Sequence, residues 1–247
     1  MIEWDVVDGV GVVAMAHGKV NALDLELCRE IRRVMGESHG VRAVVLTGAG
    51  RVFSAGVDLK RVVDGGGAYV AEFLPALSAA FRAVFDVAKP VVAAVNGHAI
   101  AGGCVLAAAC DHRVMAGGTI GLPELRVGVP FPHAALEIVR FAVGPVVANR
   151  VIFDGANYEP AVALELGLVD ELCEPDVLRE RAVAQAGEWA DRIPADAFRH
   201  TKAQLRSEVN ARLDRLSDAA TVDLWTKAAT DGRIRNFMDR TVGGGAH

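Results

Sequence analysis

Two glycine-bearing turns are the stretches of this chain whose residue types best suit chemistry. The first, FSAGVDLK, runs from Phe53 to Lys60, and the second, NGHAIAGGC, runs from Asn96 to Cys104. Glycine permits close approach to the backbone and leaves N–H groups unpaired, and a following helix adds positive potential at its N-terminus. Two such turns could converge on one anionic oxygen. A single glycine-bearing turn after a strand is common and does not by itself indicate a functional site. Neither stretch is a GxGxxG or Walker loop that would indicate a nucleotide site.

The segments around these turns alternate between strands and helices. RAVVLTG (Arg42 to Gly48) and PVVAAVNG (Pro90 to Gly97) are apolar, β-branched runs typical of strands covered on both faces, and HRVMA (112–116) indicates another. The glycine-rich stretch 48–67 predicts a loop, followed by a helix near Ala71 to Val87. Strands alternating with helices predict an α/β fold with a parallel sheet and right-handed crossovers.

The two ends of the chain have different patterns. The first strands are predicted to form a hairpin that turns at Asp8-Gly9, and Asn21 is a good N-cap for the first helix. From Glu159 onward the pattern is helical, which indicates either a small subdomain or an oligomer contact. The predicted helices there are EPAVALELG and the ranges 176–192, 195–213 and 217–230.

Composition narrows the class of protein. The chain has 247 residues, of which 52% are hydrophobic and 23% charged, and this predicts one compact unit rather than a disordered chain. A net charge of −5 does not favour nucleic acid as a partner. The N-terminus lacks a signal-peptide pattern, and we expect no membrane span because no apolar run reaches the length that one requires. The cysteines show no CxxC spacing, which predicts reduced thiols in a cytoplasmic protein; they are Cys28, Cys104, Cys110 and Cys173.

Taken together and in this order, the two turns resemble those of the crotonase (enoyl-CoA hydratase/isomerase) superfamily. The matching text is KVNALDLEL, VVLTGAGRVFSAGVDLK, KPVVAAVNGHAIAGGCVLAAACDHRVMA, IGLPELRVGV and ALELGLVDEL. The resemblance implies a crotonase-like spiral of repeated ββα units with a helical C-terminal region. It implies a core at 1–190 that holds an acyl-CoA site, and a helical trimerisation region at 191–247. The expected assembly is a homotrimer or a hexamer made of two trimers.

The resemblance also implies roles for individual residues. The N–H groups of Val57 and Gly102 correspond to the family's two oxyanion donors, and because the donors are backbone groups, valine is acceptable at position 57. Val57, Asp58, Leu59 and Lys60, together with Gly102, are expected to line the acyl-CoA site, where Lys60 could meet a phosphate. The thioester carbonyl would be polarised by N–H groups, so we expect neither a metal nor a redox cofactor, with CoA present as part of the substrate.

The expected chemistry depends on one carboxylate. Family hydratases have a glutamate where AGGCVLAAACD has Val105, and valine cannot transfer a proton. The family's second glutamate corresponds to Glu124 in GLPELRVG, as in the single-glutamate 3,2-enoyl-CoA isomerases. Glu124 would remove the α-proton of a 3-enoyl-CoA and return it to the γ-carbon. Partial desolvation would raise its pKa towards the range that a proton shuttle needs.

Two other functions stay open at this point. A hydratase, or another enzyme that forms a thioester enolate, could recruit Glu137 or His133, which lie where hydratases carry a glycine-rich turn; Glu137 alone is more typical of a helix-surface charge. A catalytically idle acyl-CoA binding protein is the third reading. His98 and Asp111 are interpreted as hydrogen-bonded residues without a catalytic role. The length and branching of the acyl chain are not fixed by the sequence.

Overall fold

A computed structural model describes residues 1–243, so 244–247, the end of the expected C-terminal region, lie outside the described residues. The strands are β1 Ile2–Val7, β2 Val10–Met15, β3 Ala43–Gly48, β4 Val52–Ser54, β5 Val91–Val95, β6 His98–Ile100, β7 His112–Met115, β8 Ile120–Gly121, β9 Asn157–Tyr158 and β10 Glu171–Leu172. The helices are α1 Leu25–Gly36, α2 Leu59–Phe85, α3 Gly102–Ala109, α4 Glu124–Val127, α5 His133–Asp154, α6 Pro160–Glu165, α7 Leu178–Arg192, α8 Ala195–Leu213, α9 Ala219–Thr230 and α10 Arg233–Gly243, with a short 3-10 helix at Ser38–Gly40.

Three consecutive ββα units form the centre of the fold: β3-β4-α2, β5-β6-α3 and β7-β8-α4. The first strand of each unit enters a six-stranded sheet of order β1-β2-β3-β5-β7-β10, and the second enters a four-stranded sheet of order β4-β6-β8-β9. Within each sheet the strands of successive units pair in parallel. The predicted α/β spiral of repeated ββα units is therefore confirmed, together with its helical C-terminal region.

The large sheet is covered on both faces, as its apolar strands predicted. On β3, Val44 and Leu46 belong to the main core with α1, α2 and α3, whereas Ala43 and Val45 pack in a second core with residues of α7. Side chains alternate between the faces of a strand, so only a run without polar positions can serve two cores. The hairpin prediction also holds: Asp8 and Gly9 have φ values of 50° and 75° between β1 and β2, as a two-residue hairpin turn requires.

The cap of α1 differs from the prediction. Asp24, not Asn21, is the N-cap: its Oδ1 accepts a hydrogen bond from the Leu27 N–H at 2.8 Å. Asn21 lies three residues earlier with a φ of 50° and is buried. A carboxylate directly before the helical run fits the cap geometry, because the side chain of an N-cap must reach the N–H groups two or three residues on.

The predicted loop at 48–67 contains more structure than expected. It holds β4, and α2 begins at Leu59 rather than near Ala71. Asp58 caps this early start, since its Oδ1 accepts a hydrogen bond from the Arg61 N–H at 3.0 Å. The glycines instead mark a kink within the helix, where Gly66 has φ 56° and ψ −151°.

Helix α2 is also long and apolar enough to cross a membrane by length and composition alone, contrary to the sequence expectation. Its kink at Gly66 interrupts the helix, and Pro75 lies inside it. Along its length it packs against α1, α3, α5, α9 and α10. A helix with so many packed neighbours has the environment of a core helix.

Candidate active site

Three parallel strands of the four-stranded sheet bring the predicted catalytic residues to one edge. β4 pairs with β6, and β6 pairs with β8, with Ile100 opposite Gly121. Val57 follows β4 by three residues, Gly102 follows β6 by two, and Glu124 follows β8 by three. Because neighbouring parallel strands end at the same edge of a sheet, the structure places all three residues there.

The first turn leaves the Val57 N–H free. Leu23 and Val57 form an isolated parallel bridge: the Leu23 N–H donates to the Gly56 carbonyl at 2.7 Å, and the Asp58 N–H donates to the Leu23 carbonyl at 3.0 Å. In this pattern the backbone groups of Val57 itself point away from Leu23. Among residues 1–243 the Val57 N–H has no hydrogen-bond acceptor.

The second turn leaves the Gly102 N–H without an acceptor among the described residues. Ala101 has φ 53° and ψ −120°, a strained conformation for a residue with a Cβ, and it turns the chain from β6 into α3. Its N–H donates to the Gly121 carbonyl at 2.8 Å, which ties the turn to β8. Gly102 is the first residue of α3, where an N–H has no intrahelical acceptor, and the helix adds positive potential. No other acceptor within the described chain takes this hydrogen.

The two turns lie against each other, and glycines make the approach possible. A Cβ built on Gly56 would lie 3.3 Å from the Gly102 nitrogen and 2.6 Å from the Ile100 carbonyl oxygen. A Cβ on Gly103 would lie 2.4 Å from the Ser54 carbonyl oxygen. The residue before Val57 therefore touches the second donor, and the two free N–H groups belong to one small region.

Glu124 begins the short helix α4 and is buried, with 8% of its surface exposed. Its Oε2 has no hydrogen-bond partner among the described residues. Burial raises the pKa of the Glu124 carboxyl from 4.5 to about 8, because a carboxylate loses its hydration there and gains no cation in return. This is the direction expected for a desolvated carboxyl, and such a group can both take up and release a proton near neutral pH.

The surroundings of the second donor, Gly102, are apolar. Val105, at the position where family hydratases carry glutamate, is fully buried on α3. A Cβ on Gly102 would meet the side chains of Leu23 at 2.7 Å and Phe81 at 3.4 Å. These two neighbours were not predicted from the sequence, since they come from segments about 80 and 20 positions away that only the fold brings together. Low polarity strengthens any hydrogen bond to a developing oxyanion.

The predicted acyl-CoA contacts at the start of α2 have their own local partners. Asp58 is the N-cap described above, and Leu59 packs against the main core. Lys60 forms an ion pair with Asp64 one turn later, and its side chain is 79% exposed. Lys60 therefore lies on the surface three residues after Val57, where an extended ligand could reach it.

Of the two residues considered as recruits for hydration, Glu137 is already paired through its side chain. Glu137 is buried on α5, and its two carboxylate oxygens accept hydrogen bonds from Arg140 at 3.2 Å and Arg212 at 3.1 Å. For His133 it is the backbone N–H that donates to Asp218, at 2.9 Å, while the imidazole Nε2 lies 4.0 Å from the same carboxylate oxygen. His98 is exposed and its Nδ1 lies 3.0 Å from the Thr119 hydroxyl, as its hydrogen-bonded interpretation predicted. Residues 1–243 contain no group of three potential metal ligands from His, Cys, Asp and Glu.

Comparison with known proteins identifies the family. Residues 5–236 match the family model described as enoyl-CoA hydratase/isomerase. The chain belongs to the enoyl-CoA hydratase/isomerase family. It is therefore an enzyme of that family, as the resemblance in its turns predicted.

Relatives within the enoyl-CoA hydratase/isomerase family include both named activities. Human mitochondrial enoyl-CoA delta isomerase 1 is 30% identical over an alignment of 250 residues, covering 97% of this chain and 82% of the relative. A short-chain-enoyl-CoA hydratase of Clostridium acetobutylicum is 33% identical over 191 residues, covering 75% and 73%. The crystal structure of human mitochondrial delta3-delta2-enoyl-CoA isomerase superposes with a TM-score of 0.91 at 26% identity, covering 99% of both chains.

Proposed function

We propose that this enzyme converts 3-enoyl-CoA thioesters into 2-enoyl-CoA thioesters, with Glu124 as the only proton carrier. The N–H groups of Val57 and Gly102 would hold the thioester oxygen. Glu124 as carboxylate takes the α-proton, the electrons move into an enolate, and the same carboxylic acid protonates the γ-carbon. The double bond moves by one position, and no atom is gained or lost. CoA is part of the substrate, and no metal or redox cofactor enters these steps.

The observation that carries the proposal is a single unpaired carboxyl at the same sheet edge as two unpaired N–H groups. Glu124 has a buried oxygen without a partner, and the buried Val105 corresponds, by the resemblance of its motif, to the family hydratases' second glutamate. Hydration requires one group that deprotonates water and a second group that delivers a proton to the α-carbon. Glu137 is held by two arginines, so its carboxylate is occupied.

Hydration is the second candidate, and the hydratase of Clostridium acetobutylicum among the relatives favours it. A catalytically idle acyl-CoA binding protein is the third. The buried Glu124 argues against an idle protein, because a carboxyl desolvated without a partner destabilises the fold and needs a function to offset that cost.

The test is a pair of assays, isomerisation of a 3-enoyl-CoA and hydration of a 2-enoyl-CoA, on native protein, on Glu124→Gln and on Glu188→Gln. Glu188 is an exposed glutamate of α7 and serves as the matched control. We expect isomerisation by native protein and by Glu188→Gln, with kcat lower by on the order of 10²–10⁴-fold in Glu124→Gln. Hydration without isomerisation would identify a hydratase, and acyl-CoA binding without either reaction would identify a binding protein.

We also propose that the helical region from 191 onward mediates a homotrimer, or a hexamer of two trimers. Support comes from apolar side chains left exposed in this region, among them Ile193, Leu205 and Leu224. Leu205 also lines a cavity of about 450 Å³, together with Ile193 and Phe198 and with several charged side chains. Exposed apolar patches are typical of interaction surfaces. Light scattering on the purified protein would give the mass of the assembly.

A cytoplasmic location remains our proposal. It is supported by four cysteines that are all free thiols, as proteins of reducing compartments usually have. Fractionation of the producing cells with an antibody to the native chain checks it.

A further inference from the structure

Asn21 is not the helix cap that the sequence predicted, and its side chain makes three hydrogen bonds elsewhere. The Nδ2 group donates to the carbonyls of Val52 at 2.9 Å and Phe53 at 3.2 Å, both on β4. The Oδ1 atom accepts from the His17 N–H at 2.9 Å. Asn21 thus ties the segment after β2 to the strand that leads into the first oxyanion turn.

Ser54, the last residue of β4, continues this network into the turn itself. Its buried hydroxyl donates to the Asn21 carbonyl at 2.7 Å and accepts from the Gly56 N–H at 3.2 Å. The Ser54 hydroxyl therefore accepts the hydrogen bond of the Gly56 N–H, which immediately precedes the unpaired N–H of Val57. Val57 is left as the next residue of the turn with an N–H open to a ligand.

The backbone of the same segment supports the turn along its length. The Ala55 N–H donates to the Val20 carbonyl at 2.9 Å, in addition to the bridge between Leu23 and the residues on either side of Val57. Hydrogen bonds to residues 20–23 thus fix the backbone conformation of residues 54–58. Asn21 can adopt its φ of 50° at low cost because asparagine tolerates the left-handed region.

We propose that Asn21 and Ser54 are positioning residues that fix the direction of the Val57 N–H toward the thioester oxygen. The inference rests on the proposed role of Val57 as an oxyanion donor. A preorganised donor stabilises the developing negative charge more than the neutral carbonyl, so its displacement affects the transition state more than substrate binding. Neither side chain needs to touch the substrate.

The test uses Ser54→Ala and Asn21→Gly, with Ser38→Ala as the matched control. Ser54→Ala removes one buried oxygen and leaves the Gly56 N–H without its acceptor. Asn21→Gly removes the amide but retains freedom to adopt a positive φ. Ser38 is a buried serine whose hydroxyl donates to the Met35 carbonyl at 2.9 Å, at the end of α1. Ser38→Ala therefore loses a comparable hydrogen bond outside the turn.

The first readout is the infrared stretching frequency of a ¹³C-labelled thioester carbonyl in a bound saturated acyl-CoA, which reports polarisation without turnover. We expect a shift to lower frequency in native protein and in Ser38→Ala, and a smaller shift in Ser54→Ala and Asn21→Gly. The second readout is kinetic. In the two turn variants we expect kcat to fall about 10- to 100-fold while the Kd of the saturated acyl-CoA changes far less.

The outcomes separate this inference from the proposed function. Native polarisation that both turn variants retain in full overturns the positioning role, whether or not the protein turns over. Bound acyl-CoA with no polarisation in native protein overturns the oxyanion role of Val57 and this inference with it. Polarisation without isomerisation, reduced in the variants, supports the inference and contradicts the proposed reaction. If Asn21→Gly does not fold, Ser54→Ala alone decides.

Discussion

The pKa of Glu124, raised to about 8 by burial, makes the proposed reaction depend on pH. Only the carboxylate can remove the α-proton, so the rate of the free enzyme should follow the ionised fraction of Glu124. We expect kcat/KM for a 3-enoyl-CoA to rise with pH towards a plateau above about pH 8. A profile measured with a substrate that does not titrate in this range checks it. A profile already flat from pH 6 would contradict Glu124 as the base in its free, buried state.

The same shift has a consequence for stability, with a definite sign. Between about pH 4.5 and 8 the folded protein binds a proton on Glu124 that the unfolded chain has released. The stabilising contribution is complete below about pH 4.5 and is lost as the pH rises through 8. Glu124→Gln cannot ionise at this position, so it escapes this loss. We expect its free energy of unfolding, relative to that of native protein, to increase from pH 5 to pH 9, which means that the variant gains stability relative to native protein. Urea unfolding at several pH values measures this, and parallel curves for the two proteins would contradict it.

At the scale of elements, the kink in α2 is a point where one side chain would change the backbone. Gly66 has φ 56° and ψ −151°, a conformation nearly confined to glycine, and a Cβ there would meet nothing within 4 Å. Gly66→Ala should therefore report backbone strain alone, and we expect it to lower the free energy of unfolding by about 1–3 kcal/mol.

The matched control is Gly36→Ala, at the last residue of α1. Its surroundings are equally open and its φ is not in the left-handed region, so alanine there should leave stability unchanged or raise it slightly. Equal effects of the two substitutions in denaturant unfolding would show that the kink at Gly66 carries no strain cost for alanine.

The elements themselves were partly readable from the sequence. The apolar runs at 42–48, 90–97 and 112–116 predicted the first strands of the three ββα units, because buried strands have no polar face. The sequence did not predict the early start of α2. Three successive glycines, at 65–67, indicated a loop, although Asp58 caps a helix that begins before them. β4 is only three residues long and pairs with a distant strand, so its local pattern was too short to predict it.

The candidate site shows the same division. The sequence identified Val57, Gly102 and Glu124 because each lies in a motif that resembles the family's, and the motifs follow in the family's order. Their spatial neighbours could not be identified in this way, because they depend on how distant segments pair. Asn21 and Ser54 are 33 positions apart, and only the pairing of their segments makes them partners. Local pattern even assigned Asn21 a different role, because asparagine serves equally well as a helix cap and in a left-handed turn.

For the whole molecule, one buried ion cluster joins the first part of the chain to the C-terminal helices. Asp111, at the end of α3, accepts hydrogen bonds from Lys202 at 2.6 Å and Arg206 at 2.7 Å, both on α8, and from the Val91 N–H at 2.9 Å. All three charged side chains are nearly inaccessible. Asp111 was predicted to be a hydrogen-bonded residue, and the structure confirms it while showing that its two charged partners lie more than 90 positions away.

This cluster predicts how α8 is held to the core. Burial lowers the pKa of Lys202 to about 8, and the Asp111 carboxylate opposes that shift, so the lysine's charge depends on its partner. Asp111→Ala would leave two buried cations without a counter-charge, and we expect it to lower the free energy of unfolding by about 3–5 kcal/mol. Glu188→Ala, which removes the exposed ion pair with Arg192 on α7, should cost less than about 1 kcal/mol. Denaturant unfolding of both variants tests this, and similar costs for the two would mean that water or a shifted backbone compensates the buried cations when Asp111 is removed.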